Sequence, residues 1–68
     1  MDILRVQKHA EEHAFDSQKF TADFPTGRRE CRFLDAYFGM FKVEGVDGFV
    51  MVSDIDRMFP DLHCELIT

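Results

Sequence analysis

The chain is 68 residues and 8.0 kDa, with thirteen Asp and Glu against eight Lys and Arg, a net charge of −5 and a pI near 4.9. That length permits one domain and no second one behind a linker, with roughly 60% of the unfolded chain's surface buried on folding. A hydrophobic content of 46%, eight Phe included, excludes the disordered class. The acid excess argues against direct nucleic-acid binding, which needs clustered Lys and Arg to neutralise phosphates.

Residues 2–15 are predicted to form a helix. Ile3, Val6, Ala10 and Ala14 recur at three- and four-residue spacing, with Leu4 and Phe15 beside them. Asp2 is the expected N-cap, and Lys8 and Glu12 form an i,i+4 pair on the wet face. The charges come too early for a signal-peptide apolar segment. The longest apolar run, Phe49-Val50-Met51-Val52, is far short of the roughly 20 residues that span a bilayer. The expectation is a cytoplasmic protein without a membrane partner.

Residues 19–24, Lys-Phe-Thr-Ala-Asp-Phe, alternate polar and apolar as a half-buried strand does, and Pro25-Thr26-Gly27 reads as a turn. Residues 28–41 admit two readings. Cys31, Leu34, Phe38 and Phe41 fit one helical face that Tyr37 widens, and a helix starting near Arg28 is slightly favoured. That helix would place Arg28 and Arg29 in its first turn, where the macrodipole disfavours cations. The alternative is a strand over 28–34 folded back onto 19–24.

Residues 40–44 and 49–52 are β-rich runs around Gly45-Val46-Asp47-Gly48, the strongest hairpin signal in the chain. Ser53 is then expected to cap a short helix over 54–59, with Asp54 and Asp56 in its first turn and Pro60 as its stop. Residues 62–67 complete the series as a strand with Leu62, Cys64 and Leu66 on one side. The predicted fold class is α+β, an N-terminal helix and short helices packed on a small antiparallel sheet, as one domain over 1–68.

The chemistry-bearing residues are few. Cys31 and Cys64 do not make a disulfide scaffold; one bridge between them is the alternative to the reduced, partly buried thiols that are expected. Arg29, Glu30 and Arg32 surround Cys31, but no partner base accompanies it, so a nucleophilic role is not expected. His9 and His13 stand one helical turn apart, as two metal ligands on a helix would. Ala10 occupies the Glu position of the His-Glu-x-x-His zinc-protease pattern. A solvated pair of histidines is the favoured reading; a metal site or hydrolase completed by His63 or Cys64 is the alternative. Asp47-Gly48-Phe49-Val50-Met51 puts apolar residues where a calcium loop needs oxygens. No phosphate loop and no nucleophile elbow are present. No catalytic residue, metal or cofactor is assigned.

Phe15, Phe20, Phe24, Phe33, Phe38, Phe41, Phe49 and Phe59 spread along the chain as core residues, with one or two Phe, or Tyr37 and Met40, left as anchors for a protein partner.

Charge is distributed unevenly. Residues 1–32 carry six acids and six bases. Residues 33–68 carry Asp35, Glu44, Asp47, Asp54, Asp56, Asp61 and Glu65 against Lys42 and Arg57 alone, which accounts for the whole −5. Gathered on one face, those acids would steer a cationic partner. With its N-terminal helix, Phe-rich core and acidic stretch 44–65, the chain resembles anti-CRISPR inhibitors. Among these it resembles those directed at type I surveillance complexes.

That resemblance implies a small phage or mobile-element protein working in the host cytoplasm. It would set carboxylates where DNA phosphates lie in a cationic channel, through Asp35, Glu44, Asp47, Asp54, Asp56, Asp61 and Glu65. The expected partner is a cationic protein, a surveillance-complex subunit or another nucleic-acid-binding protein, met by a monomer or weak homodimer. A dimerising accessory domain is a further alternative. Arg28, Arg29 and Arg32 depart from a simple DNA mimic and would pair with acids internally or in a self-dimer.

Overall fold

The computed structural model of the protein describes residues 1–13 and 17–67. In chain order these form α1 (Ile3–Glu12), β1 (Lys19–Phe24), β2 (Gly27–Asp35), β3 (Met40–Val43), β4 (Val50–Met51), α2 (Val52–Met58) and β5 (Cys64–Ile67). The strands make one antiparallel sheet in the order β4-β3-β2-β1-β5, an α+β fold with the helix at its N-terminal end.

Helix α1 forms because Asp2 accepts the Arg5 backbone N–H at 3.0 Å, satisfying an orphan donor of the first turn, and because Ile3, Val6 and Ala10 bury one stripe. Lys8 and Glu12 pair at 3.9 Å as expected, both exposed. Ala14 and Phe15, expected to extend the stripe, lie outside the described residues. The N-terminal residue also closes a sheet edge. Met1 exchanges two bonds with Cys64, its ammonium donating to the Cys64 carbonyl at 3.0 Å and its carbonyl accepting the Cys64 N–H at 2.7 Å. An otherwise open start of β5 is thereby covered.

Between Arg28 and Asp35 the chain is a strand, which overturns the slight preference for a helix. Read at period two, this segment sends Cys31 and Phe33 inward and Arg28, Glu30, Arg32 and Leu34 outward. The tight Pro25-Thr26 connection sets Phe24 against Gly27, and Gly27 takes φ +130°, a value that favours glycine. The helical spacing of Leu34, Phe38 and Phe41 is accidental: Leu34 and Phe38 end up exposed.

A bulge between Phe33 and Asp35 ends β2 and opens the turn 36–39. There the Asp35 carboxylate accepts the Phe38 N–H at 3.1 Å, and Gly39 adopts φ +71°. A Cβ on Gly39 would stand 2.9 Å from Gln7 Nε2 and 3.2 Å from Val52 Cβ. Gln7 donates to the Ala36 carbonyl at 3.0 Å, and the Gly39 carbonyl accepts the Val52 N–H at 2.8 Å. One turn thus ties α1 and the start of α2 to the sheet.

The expected hairpin is present as β3 and β4, with Met40 opposite Met51 and Phe41 opposite Val50. Its second strand is only two residues long, because α2 starts at Val52. Met51 is the N-cap, without a side-chain bond, in place of the expected Ser53. Burying Val52 and Ile55 on one stripe of α2 fixes that earlier start.

The core lies between the helices and the inner sheet face. Phe20, Phe33 and Phe41 meet there with ring centroids 5.1, 5.3 and 5.9 Å apart, under Ile3, Val6, Val52 and Ile55. Phe24 and Phe59 form a second edge-to-face pair at 6.0 Å, partly exposed. No helix among the described residues is long and apolar enough to cross a membrane.

Candidate functional site

With one face of the sheet packed under the helices, the other faces solvent, and strand register arranges its charges in rows. The first row is Lys42, Arg32, Lys19 and Ile67, on β3, β2, β1 and β5. Two residues further along each strand, a second row holds Glu30, Thr21 and Glu65, and Glu44 joins it through its N–H bond to the Glu30 carbonyl at 2.9 Å. A third row holds Asp23 and Arg28, with His63 alongside through its carbonyl, which accepts the Asp23 N–H at 2.9 Å. Lys19, Glu30, Arg32, Lys42 and Glu44 line a shallow depression of about 370 Å³ on this face.

Side-chain pairing within the face is partial. Arg28 Nε donates to Asp23 at 2.8 Å, and that bond holds the Asp23 carboxyl below the usual carboxylate range. His63 meets Glu65 at 3.1 Å and lowers the Glu65 carboxyl in the same sense. Both contributions are present at neutral pH and fade as pH falls through the lowered values. Lys19 reaches Glu30 at only 3.9 Å, while Arg32 and Lys42 make no ion pair among the described residues.

The seven acids singled out from the sequence divide between layers. Glu44 and Glu65 stand on the outer sheet face, three strand spacings apart. Asp35 caps the turn after β2, and Asp47 lies in the β3–β4 connection. Asp54 and Asp56 lie on α2, with Asp61 in the connection that follows it. A two-residue step turns a helix by about 200°, so Asp54 and Asp56 flank the buried Ile55 on opposite sides. Asp54 pairs with Arg57 at 2.9 Å, both side chains more than half exposed.

Position in the fold therefore sorts the charge more sharply than position in the sequence. Four acids (Asp23, Glu30, Glu44, Glu65) balance four bases (Lys19, Arg28, Arg32, Lys42) on the outer sheet face. The entire net charge of −5 is left to the rest of the chain. Residues 46–62 hold Asp47, Asp54, Asp56 and Asp61 against Arg57 alone. In the same stretch Val46, Phe49 and Met58 are 44%, 54% and 58% exposed. Tyr37 and Phe38, in edge-to-face contact at 5.2 Å, are also exposed, on the turn that α2 abuts.

The sequence alone does not single out Phe49 or Met58 as an anchor. On α2, Val52 and Ile55 take the buried stripe and leave Met58 outside it. The arginine trio also separates. Arg28 and Arg32 face outward, whereas Arg29 lies on the inner side. There its Nη1 donates to the Glu44 carbonyl at 3.3 Å beside a groove of about 320 Å³, lined by Phe24, Val43, Val46, Val50, Ile55 and Phe59.

His9 and His13 stack with ring centroids 4.1 Å apart, and His13 Nδ1 lies 2.9 Å from the His9 carbonyl. No third residue joins them: among the described residues, no group of three His, Cys, Asp or Glu could hold a metal ion. Cys31 and Cys64 are free and buried on either side of β1. Two strand spacings across and a two-residue offset along the sheet set their Cα atoms about 12 Å apart, beyond the reach of a disulfide. Burial pushes the Cys31 thiol up to about 12 and the Cys64 thiol up to about 11. Both should therefore resist Ellman's reagent at pH 8 in the folded protein and react fully in denaturant; fast native labelling of either would contradict their placement.

Comparisons with protein-family models, with curated proteins and with solved structures find no match.

Proposed function

We propose that the protein is a non-enzymatic interaction protein of the host cytoplasm that docks on a cationic, nucleic-acid-binding protein surface and blocks it, as the anti-CRISPR inhibitors it resembles do. The observation that carries this reading is the charge partition. A balanced sheet face leaves α2 and its flanking connections acidic and studded with exposed Val46, Phe49 and Met58. Aromatic and Met side chains among acids supply both parts of a specific interface: apolar anchors, and charge that speeds encounter. Carboxylates of Asp47, Asp54, Asp56 and Asp61 would stand in for phosphates, and the anchors would distinguish the intended partner from any other cation-lined groove.

Capture on the immobilised protein tests this directly. The retained partner is expected to be a nucleic-acid-binding protein, released both by raised salt and by competing duplex DNA. A partner that stays bound while DNA occupies its own site would overturn the blocking role.

A further inference from the structure

We infer that the outer sheet face receives a second copy of this chain, in a two-fold dimer that lays the cation row of each copy over the acid row of the other. Like charges directly opposite one another on neighbouring strands destabilise a sheet. Yet Lys19, Arg32 and Lys42 sit side by side on β1, β2 and β3, and Glu30 and Glu44 sit side by side one row away. Arg32 and Lys42 find no carboxylate within the described chain. Alternating the charges along each row would have paired Arg32 and Lys42 internally; in the banded arrangement only Lys19 of the three reaches a carboxylate of the next row, Glu30 at 3.9 Å, and a surface banded in the opposite order pairs the other two.

This chain supplies such a surface itself. The rows run perpendicular to the strands and lie two residues, about 6.7 Å, apart. A two-fold axis parallel to the rows and midway between them exchanges one row for the other when two sheets meet face to face. Arg32 then stands over the second copy's Glu30, and Lys42 over the second copy's Glu44. By symmetry Glu30 and Glu44 receive the second copy's Arg32 and Lys42, so each contact occurs twice, as an isologous interface requires. Lys19 falls over the second copy's Thr21, between its two flanking acids. The twist between packed sheets, about 30°, is small enough to keep these central pairs aligned.

Size is compatible with this. A standard interface buries about 800 Å² per partner. The molecule measures 30 × 23 × 22 Å, so its broad side offers a footprint of that order out of 4493 Å² accessible in all. The contact is mostly polar, which fits a reversible dimer more than an obligate one. It stands independently of the reading of α2, and it leaves both acidic helix layers facing outward.

Sedimentation velocity across concentration and salt tests the inference with charge swaps. The wild-type chain is expected to dimerise reversibly, more weakly as salt rises. Arg32→Glu and Glu30→Arg, each alone, should raise the dissociation constant about tenfold or more, because each sets like charges face to face twice per dimer. The combined R32E/E30R chain should regain the wild-type constant, since the exchanged pair meets its own exchanged image. A second set guards against misfolding of these variants. A face made mostly acidic (R32E/K42E) and one made mostly cationic (E30K/E44K) should each stay monomeric, yet form a one-to-one complex when mixed. A wild-type chain monomeric up to about 1 mM, or a dimer indifferent to both sets of swaps, overturns the inference.

Discussion

Replacing Phe20 with Ala is expected to lower the thermal midpoint by about 12 °C or more and to leave much of the protein unfolded at physiological temperature. Phe20 is fully buried and touches both other rings of the central cluster, Phe33 at 5.1 Å and Phe41 at 5.3 Å. A large-to-small change at such a site costs about 3–5 kcal/mol, the transfer of the ring plus the cavity left behind. A chain of this length holds only roughly 3–10 kcal/mol of stability in all. Losses elsewhere are more forgiving: Phe49, 54% exposed, should give up well under 1 kcal/mol on the same change. Circular dichroism melts of the two variants make the comparison. A Phe20→Ala protein melting within about 5 °C of the wild type would mean that the cluster is not the centre of the core.

The second large effect concerns binding. Reversing Asp54, Asp56 and Asp61 together to Lys should weaken the captured complex by several kcal/mol, about a hundredfold or more in dissociation constant, with the fold intact. None of the three side chains supports the core, and the one internal ion pair among them, Asp54 with Arg57, is exposed, so little stability is at stake. The control is a triple reversal of equal charge on the other layer, at Glu30, Glu44 and Glu65. If location and not net charge governs docking, that protein keeps its affinity for the partner under the same salt. Equal losses in both triples would mean that the partner senses only the overall field.

How far the sequence reveals this architecture depends on how local each signal is. Residues 19–24 alternate cleanly and are flanked by Pro25-Thr26-Gly27, and β1 falls there residue for residue. The hairpin around residues 45–48 is equally legible, since two glycines mark its connection. Residues 28–35 mislead because Leu34, Phe38 and Phe41 fall into helical spacing by chance. The arbiter is non-local: only pairing with β1 and β3 buries Cys31 and Phe33. Ser53 misleads in a similar way. Its capping chemistry is sound, but burying Val52 beneath α1 starts the helix earlier.

The candidate site follows the same logic. A surplus of acids after residue 32 is visible in one dimension. That Glu44 and Glu65 turn to the sheet face while Asp54, Asp56 and Asp61 stay with α2 requires strand alternation and register together. The row of Lys19, Arg32 and Lys42 is invisible in sequence, because its members lie ten or more residues apart and meet only through antiparallel pairing.

The proposed docking face is α2 with its flanking connections, not the sheet. Titrating an isotope-labelled sample with an oligolysine peptide, as a minimal cationic surface, while following backbone amide resonances tests it most directly. The largest shifts are expected at residues 46–49, 53–58 and 61, with residues 19–23 and 28–34 nearly still. Shifts concentrated on the strands, or spread evenly over the molecule, would contradict it.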